Sequence, residues 1–515
     1  MYIQPETNIR ILRNVPLDTT YENTIHFNGT KDQYNYFVSL EKYNLTRYTY
    51  QRVKRGVCRV GIKADNLFDC NYMMFQNTAY GNKWFYAFIT SVEFVNNECA
   101  EIAFTIDVMQ TWYFDYRVWE SFVVREHSAS DNIGDNLLDD NLELGEYFID
   151  NFEDSGVINK GGYNVVMAST FYGQSLQPYY GGMFGGIFSG LYYTATPTTN
   201  VDDIKAIIEA ATEDAKEDGI VSIFMMPSNF CQVGESVGPK SYNITKDKAY
   251  GSDVFGFTPK NKKLFTYPYN FLYVTDLNGN SANMPYEFFS NTDGKCHFRL
   301  TGDTTCNPSI IMYPLNYKGV KANYNEKMVL SDFPQCSYNT DAFKAWLAQS
   351  GAQNVVQGVA GSATLGTALG SLIAGSNPIS ASGLAVLGGI NAVANSLIER
   401  QKHSVLPRQA KGNQGSSTLV ASGLKEFYFG NAHIQTQYAQ IIDEYWNMYG
   451  YPCNRVKIPN ISTRPHWNYV KTANVSITGS MPADDMDKIK SVYNNGVTFW
   501  KDGSEVGRYD LDNSI

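Results

Sequence analysis

The residues that could carry catalytic or ligand-binding chemistry are few and scattered along the chain. The six histidines are His26, His127, His297, His403, His433 and His466. No two of them have the spacing of a zinc site, and neither H-E-x-x-H nor G-x-S-x-G occurs. Cys296 precedes His297, but adjacent residues of a strand point to opposite faces, so this pair is not expected to act together. We expect no metal and no nucleophile–base pair; a pair of catalytic carboxylates stays open, because it cannot be located without a fold.

The cysteines show no pairing pattern. The eight are Cys58, Cys70, Cys99, Cys231, Cys296, Cys306, Cys336 and Cys453. None lies in a C-x-x-C motif, and they are spread over a long chain, which disfavours zinc, redox and disulfide frameworks. We expect buried free thiols.

An acidic stretch and two glycine-rich segments are the other candidates for binding. Residues 131–154 contain nine carboxylates, which could serve calcium binding or acid–base catalysis. No D-x-[DN]-x-[DN]-G loop is present, so a solvated connection is favoured. Residues 180–190 and 238–241 are rich in glycine or proline, but neither has the Gly-Lys-Ser/Thr ending of a phosphate loop. We expect no cofactor.

Composition narrows the class of protein. The 515 residues include 41 Lys and Arg against 51 Asp and Glu, so the net charge is −10. Aromatic residues make up 14%, which excludes a disordered chain, and the acidic balance disfavours sequence-independent DNA binding. The first six residues lack the basic and apolar parts of a signal peptide, so we expect synthesis in a cytoplasm.

The elements that would position these residues are mainly strands. Residues 84–90 and 102–108 combine β-branched and aromatic side chains and are separated by Asn/Gly turns, which predicts β-structure up to about residue 155. Apolar residues at helical spacing predict helices over residues 202–218 and 434–448, the second ending at Gly450.

Near the end of the chain a short helix is predicted over residues 484–493. A turn and a strand over residues 497–500 follow it. The predicted fold class is therefore mainly β with a few helices (α+β).

The most informative feature is a segment without charge. From residue 345 to residue 398 there is no Asp, Glu, Lys, Arg or His, and the composition is mostly Ala, Gly, Ser, Thr, Leu, Val and Ile. Pro378 divides it into two halves, residues 355–375 and 379–398, each long enough for a helix to cross the hydrocarbon core of a bilayer. We call residues 345–398 the charge-free segment.

The two halves predict a helical hairpin that can enter a membrane. The predicted membrane-inserting residues are Val355, Val356, Val359, Leu365, Leu369, Leu372, Ile373, Ile379, Leu384, Val386, Leu387, Ile390, Val393, Leu397 and Ile398. Small residues at four-residue spacing would let the helices approach closely: Gly366, Gly370, Ala381, Ala385 and Gly389.

Nine glycines make insertion of one copy marginal. This indicates a segment that inserts as part of an oligomer, and a buried helical pair inside a large core is the alternative. Trp346, at the edge of the segment, could lie at the membrane interface or simply pack.

Several runs resemble the tail knob (distal tail tube) proteins of phi29-like short-tailed phages. The runs are TNIRILRNVPL (7–17), KWFYAFI (83–89), FTIDVMQTW (104–112), FVVREH (122–127), LELGEY (142–147), NRVKIPN (454–460), RPHWNYVK (464–471) and NGVTFW (495–500). They cover residues 1–155 and 420–505, while the charge-free segment matches the family's long hydrophobic loop by position and composition.

The resemblance implies tail-tube-like or hub-like β-barrel domains that assemble as a hexameric tube at the tail tip. Six hydrophobic loops would plug the lumen and then form a pore in the host cytoplasmic membrane, through which genomic DNA passes without sequence-specific contacts. The implied partners are the lower collar or tail tube and the tip lysin, and hosts of the family are typically Gram-positive.

The predicted division of the chain follows from the same resemblance. It consists of a tube-forming β domain (1–155), a middle mixed α/β domain (156–340), the hydrophobic loop (341–412) and a C-terminal segment that completes the tube (413–515). A tail-tip receptor-binding protein, with residues 160–335 as a carbohydrate surface, and an enzyme that cuts cell-wall polymers are the alternatives.

Overall fold

The fold was analysed in a computed structural model of the chain. The structure describes residues 6–48, 56–128, 130–170, 179–180, 191–197, 219–231, 240–303, 308–333, 335–337, 425–461 and 468–515. Within these residues there are 27 strands and four α-helices, so the prediction of a mainly β fold with a few helices is confirmed.

The chain divides into two compact units. The first unit consists of Met1–Glu143, Pro259–Lys263 and Gln440–Ile515, and the second of Leu144–Thr258 and Leu264–Ala439. Each unit contains its own sheets and its own apolar core.

The first nine strands belong to the first unit. They are β1 (Thr7–Arg13), β2 (Asn23–Ile25), β3 (Glu41–Tyr48), β4 (Val57–Val60), β5 (Cys70–Gln76), β6 (Trp84–Asn96), β7 (Cys99–Ile106), β8 (Tyr116–Val118) and β9 (Ser121–Glu126). The same unit contains the last four strands, β24 (Tyr451–Lys457), β25 (Tyr469–Ala473), β26 (Ile477–Gly479) and β27 (Val497–Trp500).

The remaining strands belong to the second unit. They are β10 (Tyr147–Asp154), β11 (Tyr163–Ser169), β12 (Tyr179–Tyr180), β13 (Tyr192–Pro197), β14 (Ile220–Pro227), β15 (Ser241–Asp247), β16 (Asn270–Thr275), β17 (Ser281–Met284), β18 (Lys295–Asp303), β19 (Ser309–Tyr317), β20 (Val320–Ala322), β21 (Met328–Leu330), β22 (Gln335–Ser337) and β23 (Tyr428–Ile434). The α-helices of the described residues are α1 (Thr30–Ser39), α2 (Val108–Thr111), α3 (Thr436–Tyr449) and α4 (Ala483–Asn495).

The strands form antiparallel sheets, apart from the parallel pair β2–β27. In the first unit the orders are β3-β1-β5-β6-β7-β4, β2-β27-β25-β9-β24 and β26-β8. In the second unit they are β10-β23-β16-β17, β12-β13-β11-β14-β22 and β15-β18-β19-β20, with β21 also on β19. Apolar side chains of the second unit's sheets form one large core cluster that runs from Ile158 to Phe429.

The predicted strand over residues 102–108 is two residues too long, because β7 ends at Ile106 and Asp107 is the N-cap of α2. Its carboxylate accepts a hydrogen bond from the backbone N–H of Gln110 at 3.1 Å, as an N-cap does, and another from the hydroxyl of Tyr72 at 2.7 Å. Burial raises the pKa of Asp107 to about 6.

The acidic stretch is not simply a solvated connection, so that prediction is wrong at Asp140. Its side chain is only 2% exposed and accepts hydrogen bonds from Arg125 Nη1 at 2.9 Å and Trp446 Nε1 at 2.7 Å. Lys263 Nζ lies 3.4 Å away. A carboxylate can be buried when several donors surround it, and these donors come from distant parts of the sequence.

Helix α3 confirms the predicted helix, with one correction at its start. Ile434, assigned from its spacing to the helix, is instead the last residue of β23 and is fully buried. The helix ends at Tyr449 because Gly450 takes the left-handed conformation, at φ +65°.

Gly450→Ala tests this helix ending. A Cβ at Gly450 would collide with the backbone of Glu126 and His127, whereas Gly81, at φ +66°, has open space around it. We expect Gly81→Ala to cost about 1 kcal/mol of left-handed strain. Gly450→Ala should cost at least about 2 kcal/mol more, because backbone cannot move aside as a flexible side chain can. Urea denaturation of the two variants measures the difference, and equal midpoints would contradict the geometry.

Candidate functional site: the neck of the charge-free segment

The predicted functional residues lie outside the described part of the chain. All of the predicted membrane-inserting and helix-packing residues, and Trp346, fall within residues 338–424, so their roles stay predictions. The helix predicted over residues 202–218 and most of the glycine-rich segment 180–190 are also outside the described residues. None of the helices described has the length and apolar character needed to cross a membrane.

What the structure does describe is the protein on either side of the charge-free segment. Strand β22 precedes it and β23 follows it, and both belong to the second unit. β22 has three residues and, in the described sheet, pairs with β14 alone, whereas β23 has seven residues and lies between β10 and β16. All ten residues from 425 to 434 are buried. The chain is therefore anchored much more firmly after the segment than before it.

Lys425 links the described residues on the two sides of the charge-free segment. Lys425 is 1% exposed, and its ammonium donates a hydrogen bond to the backbone carbonyl of Ser331. The same ammonium lies 4.6 Å from the centre of the Phe333 ring, within the range of a cation–π contact. Ser331 and Phe333 precede residues 338–424 and Lys425 follows them directly, so these contacts join the described residues on the two sides of the charge-free segment. We call Ser331, Phe333, Lys425 and Glu426 the neck.

Glu426 connects the neck to the residues that follow β10. The backbone N–H groups of Ile158 and Asn159 donate to its carboxylate at 3.0 and 3.2 Å, and the Ser155 hydroxyl donates as well. Lys425 and Glu426 therefore contact different parts of the chain, Ser331 and Phe333 in one case and residues 155–159 in the other. Glu426 therefore ties the neck to the turn after β10.

Burial favours the neutral form of both Lys425 and Glu426, and it therefore shifts the pKa of each. It raises the pKa of Glu426 to about 7, and the hydrogen bonds from Ser155, Asn159 and Phe427 oppose this shift. It lowers the pKa of Lys425 to about 8, against the attraction of Asp332 and Asp276. The neck therefore contains two groups that change charge close to neutral pH.

The residues considered for catalysis do not form a reactive group. Cys296 is fully buried, whereas His297 points outward and its Nε2 lies 2.6 Å from Asp293. Six of the cysteines are free thiols: Cys58, Cys70, Cys231 and Cys296 are buried, and Cys99 and Cys453 are half-buried. Within the described ranges no group of three or more His, Cys, Asp and Glu side chains is arranged to hold a metal ion.

Four of the eight sequence runs that carry the family resemblance meet in one sheet of the first unit. Runs 122–127 and 454–460 supply β9 and most of β24, which pair with Phe122 opposite Val456. Runs 464–471 and 495–500 supply part of β25 and all of β27. Four of the five strands in the sheet β2-β27-β25-β9-β24 thus come from these runs.

Comparison with known protein families decides the family. The model of the C-terminal domain of Bacillus phage phi29 tail knob protein gp9 matches residues 229–514, which is more than half of the chain. The chain belongs to the phi29 gp9 tail knob family. A second model, the N-terminus of the Caudoviral major tail protein, matches residues 5–117.

Individual relatives agree with the phi29 gp9 family assignment. The chain is 25% identical to the tail knob protein gp9 of Bacillus phage PZA and 24% identical to that of Bacillus phage phi29, over 99% of this chain and 98% of each relative. Its fold is similar to the tail knob protein gp12 of bacteriophage C1, with a TM-score of 0.60 and 15% identity over 99% of this chain and all of that one. The chain is therefore a structural protein of the virion tail rather than an enzyme.

Glu426→Gln tests the electrostatics of the neck. The folded protein raises the pKa of Glu426 from its ordinary 4.5 to about 7, so it binds the proton more tightly than the unfolded chain does. Glu426 thus makes its full contribution to the stability of the folded protein below pH 4.5. This contribution is lost as the pH rises through 7. The loss amounts to at most about 3 kcal/mol, at 1.36 kcal/mol per pKa unit.

The glutamine variant should lack this loss, so its stability relative to wild type should increase from pH 4.5 to pH 7.5. Denaturant titrations at these two pH values measure the change. Glu326→Gln, at a side chain 37% exposed in the same unit, is the control and should show a much smaller change. Parallel pH dependences of wild type and Glu426→Gln would show that Glu426 is not held as described.

Proposed function

We propose that this tail knob protein assembles as a hexameric tube at the tip of a short-tailed phage and conducts the genome during ejection. In this proposal the charge-free segments plug the lumen and then insert into the host cytoplasmic membrane as a pore. The chain would join the lower collar or tail tube and the tip lysin in the virion. The division at residues 155, 340 and 412 belongs to the same proposal.

The observation that carries the proposal is the neck. Lys425 contacts Ser331 and Phe333 across the ends of the charge-free segment, and Glu426 fixes the return of the chain to the body of the second unit. When the chain on the two sides of a segment is held together, the segment can move from one environment to another. No strand of the unit then has to separate from its sheet. This is what a membrane-inserting segment on a stable scaffold requires.

The net charge of the chain and the number of charge-free segments in a ring support the same function. A net charge of −10 disfavours contacts with phosphates, which suits a conduit through which DNA must slide without sticking. Insertion of one glycine-rich hairpin is marginal, but a ring presents several at once. Until insertion, a lumen would keep their apolar surfaces away from other molecules.

Deletion of residues 349–399 tests the role of the segment. The deletion leaves Phe333 and Lys425 in place, so the second unit should still fold. We expect the full chain to release dye from liposomes and the deletion variant to release none. Dye release that is unchanged by the deletion would refute the pore.

Single charges test the insertion itself. Leu372→Asp and Leu387→Asp each place a carboxylate in one half of the segment, at a cost of roughly 3 kcal/mol per helix at the centre of a bilayer. Both should abolish dye release while assembly persists. Val320→Asp, at a side chain 47% exposed in the second unit, is the control and should leave dye release unchanged. Release that survives both leucine substitutions would mean that another part of the chain inserts.

Electron microscopy of the purified chain tests the tube. We expect six-fold rings with a lumen, from the wild type and from the deletion variant alike. Particles without a lumen, or a different symmetry, would contradict the hexameric tube.

A further inference from the structure

A cavity of about 400 Å³ lies in the second unit, beside the bulge of β10. Its lining includes Asn151, Phe152, Glu153, Lys246, Tyr286 and Asn431. This volume is in the range of small-molecule sites, which are typically concave, mostly apolar and supplied with a few polar groups. The cavity lies apart from the neck residues, none of which lines it.

A β-bulge shapes the cavity. The pairing of β10 with β23 shifts register between Asp150 and Glu153, and Asn151 takes a left-handed φ of +50°. Gly430, on β23, faces the bulge, and a Cβ there would collide with Ile149 and Phe152. Bulges redirect side chains and occur often beside binding sites. Here the bulge brings Asn151, Phe152 and Glu153 to the edge of the cavity.

The cavity contains an amide with an unused hydrogen-bonding group. Asn431 is 6% exposed, and its Oδ1 accepts a hydrogen bond from the Tyr286 hydroxyl at 2.9 Å. Its Nδ2 group has no hydrogen-bond partner in the described residues. If the amide were turned over, Oδ1 would be the unpaired atom instead, so one polar atom is left over in either orientation. The Nδ2 group is reached by solvent from the cavity, so a ligand hydroxyl could replace the water there.

The charges of the lining disfavour an anion. The ammonium of Lys246 is already occupied, since it lies 3.0 Å from Glu153 Oε1, donates to the carbonyl of Asp154 at 3.1 Å and lies 5.1 Å from the centre of the Phe429 ring. Asp247 adds a second carboxylate to the lining. One lysine against two acids leaves no net positive charge for a phosphate or a carboxylate.

We propose that this cavity binds a neutral saccharide of one or two rings. Amides offer both donors and acceptors to hydroxyl groups, as Asn431 and Asn151 do here, and the carboxylate of Glu153 offers acceptors. Phe152, Leu272 and Tyr286 supply the apolar surface that the C–H groups of a sugar ring need. The proposal does not depend on whether residues 345–398 enter a membrane.

Ligand-observed NMR on the full chain tests the proposal, with glucose, N-acetylglucosamine and inorganic phosphate as probes. We expect saturable binding of at least one sugar with a dissociation constant of the order of 1 mM, and no binding of phosphate. Absence of sugar saturation up to about 50 mM, or tighter binding of phosphate than of either sugar, would overturn the proposal.

Two substitutions locate the site. Asn431→Leu combined with Tyr286→Phe removes both partners of the buried hydrogen bond and keeps the packing, and it should weaken sugar binding about tenfold. Asn278→Leu, at an exposed asparagine of the same unit that does not line the cavity, is the control, with affinity close to wild type. Asn431→Asp, which keeps the Tyr286 bond and removes the Nδ2 donor, serves if the double variant does not fold. Unchanged affinity in the folded Asn431 variants would place any sugar binding elsewhere and overturn the assignment.

Discussion

The burial of residues 425–434 is the constraint on which the rest of the account depends. These ten consecutive buried residues include a lysine and a glutamate, whose charged groups need hydrogen-bond partners. Lys425 finds its partners in Ser331 and Phe333, before the charge-free segment, and Glu426 finds its own in the turn after β10. The partners that these two buried groups need thus also join the described residues on the two sides of the segment.

The same principle operates in the first unit. Asp140 is buried because Arg125, Lys263 and Trp446 surround its carboxylate, and these residues come from three parts of the chain. Each unit is therefore held by an apolar core and by a few fully partnered charges. Breaking one partner of such a group costs much more than the intact pair contributes, so both networks specify which chain segments come together.

Sequence reasoning predicted what depends on local pattern. The strand β6, with its β-branched and aromatic residues, the helix ending at Gly450 and the helix before β27 all follow from nearby residues. It failed where contacts between residues far apart in sequence determine the structure. Asp140 was expected in solvent and Ile434 in a helix, and no pattern indicated a role for Lys425 and Glu426. The absence of charge marked residues 345–398, but no local signal marks the residues that hold their ends, because their partners are up to 271 positions away in sequence.

Hydrogen–deuterium exchange of the full chain, with and without liposomes, tests the central claim most directly. That claim is that the charge-free segment changes its surroundings while the neck and β23 stay folded. We predict that liposomes slow exchange in residues 345–398 and leave the strong protection of residues 427–434 unchanged. Loss of protection in residues 427–434, or exchange in residues 345–398 that liposomes do not alter, would contradict it.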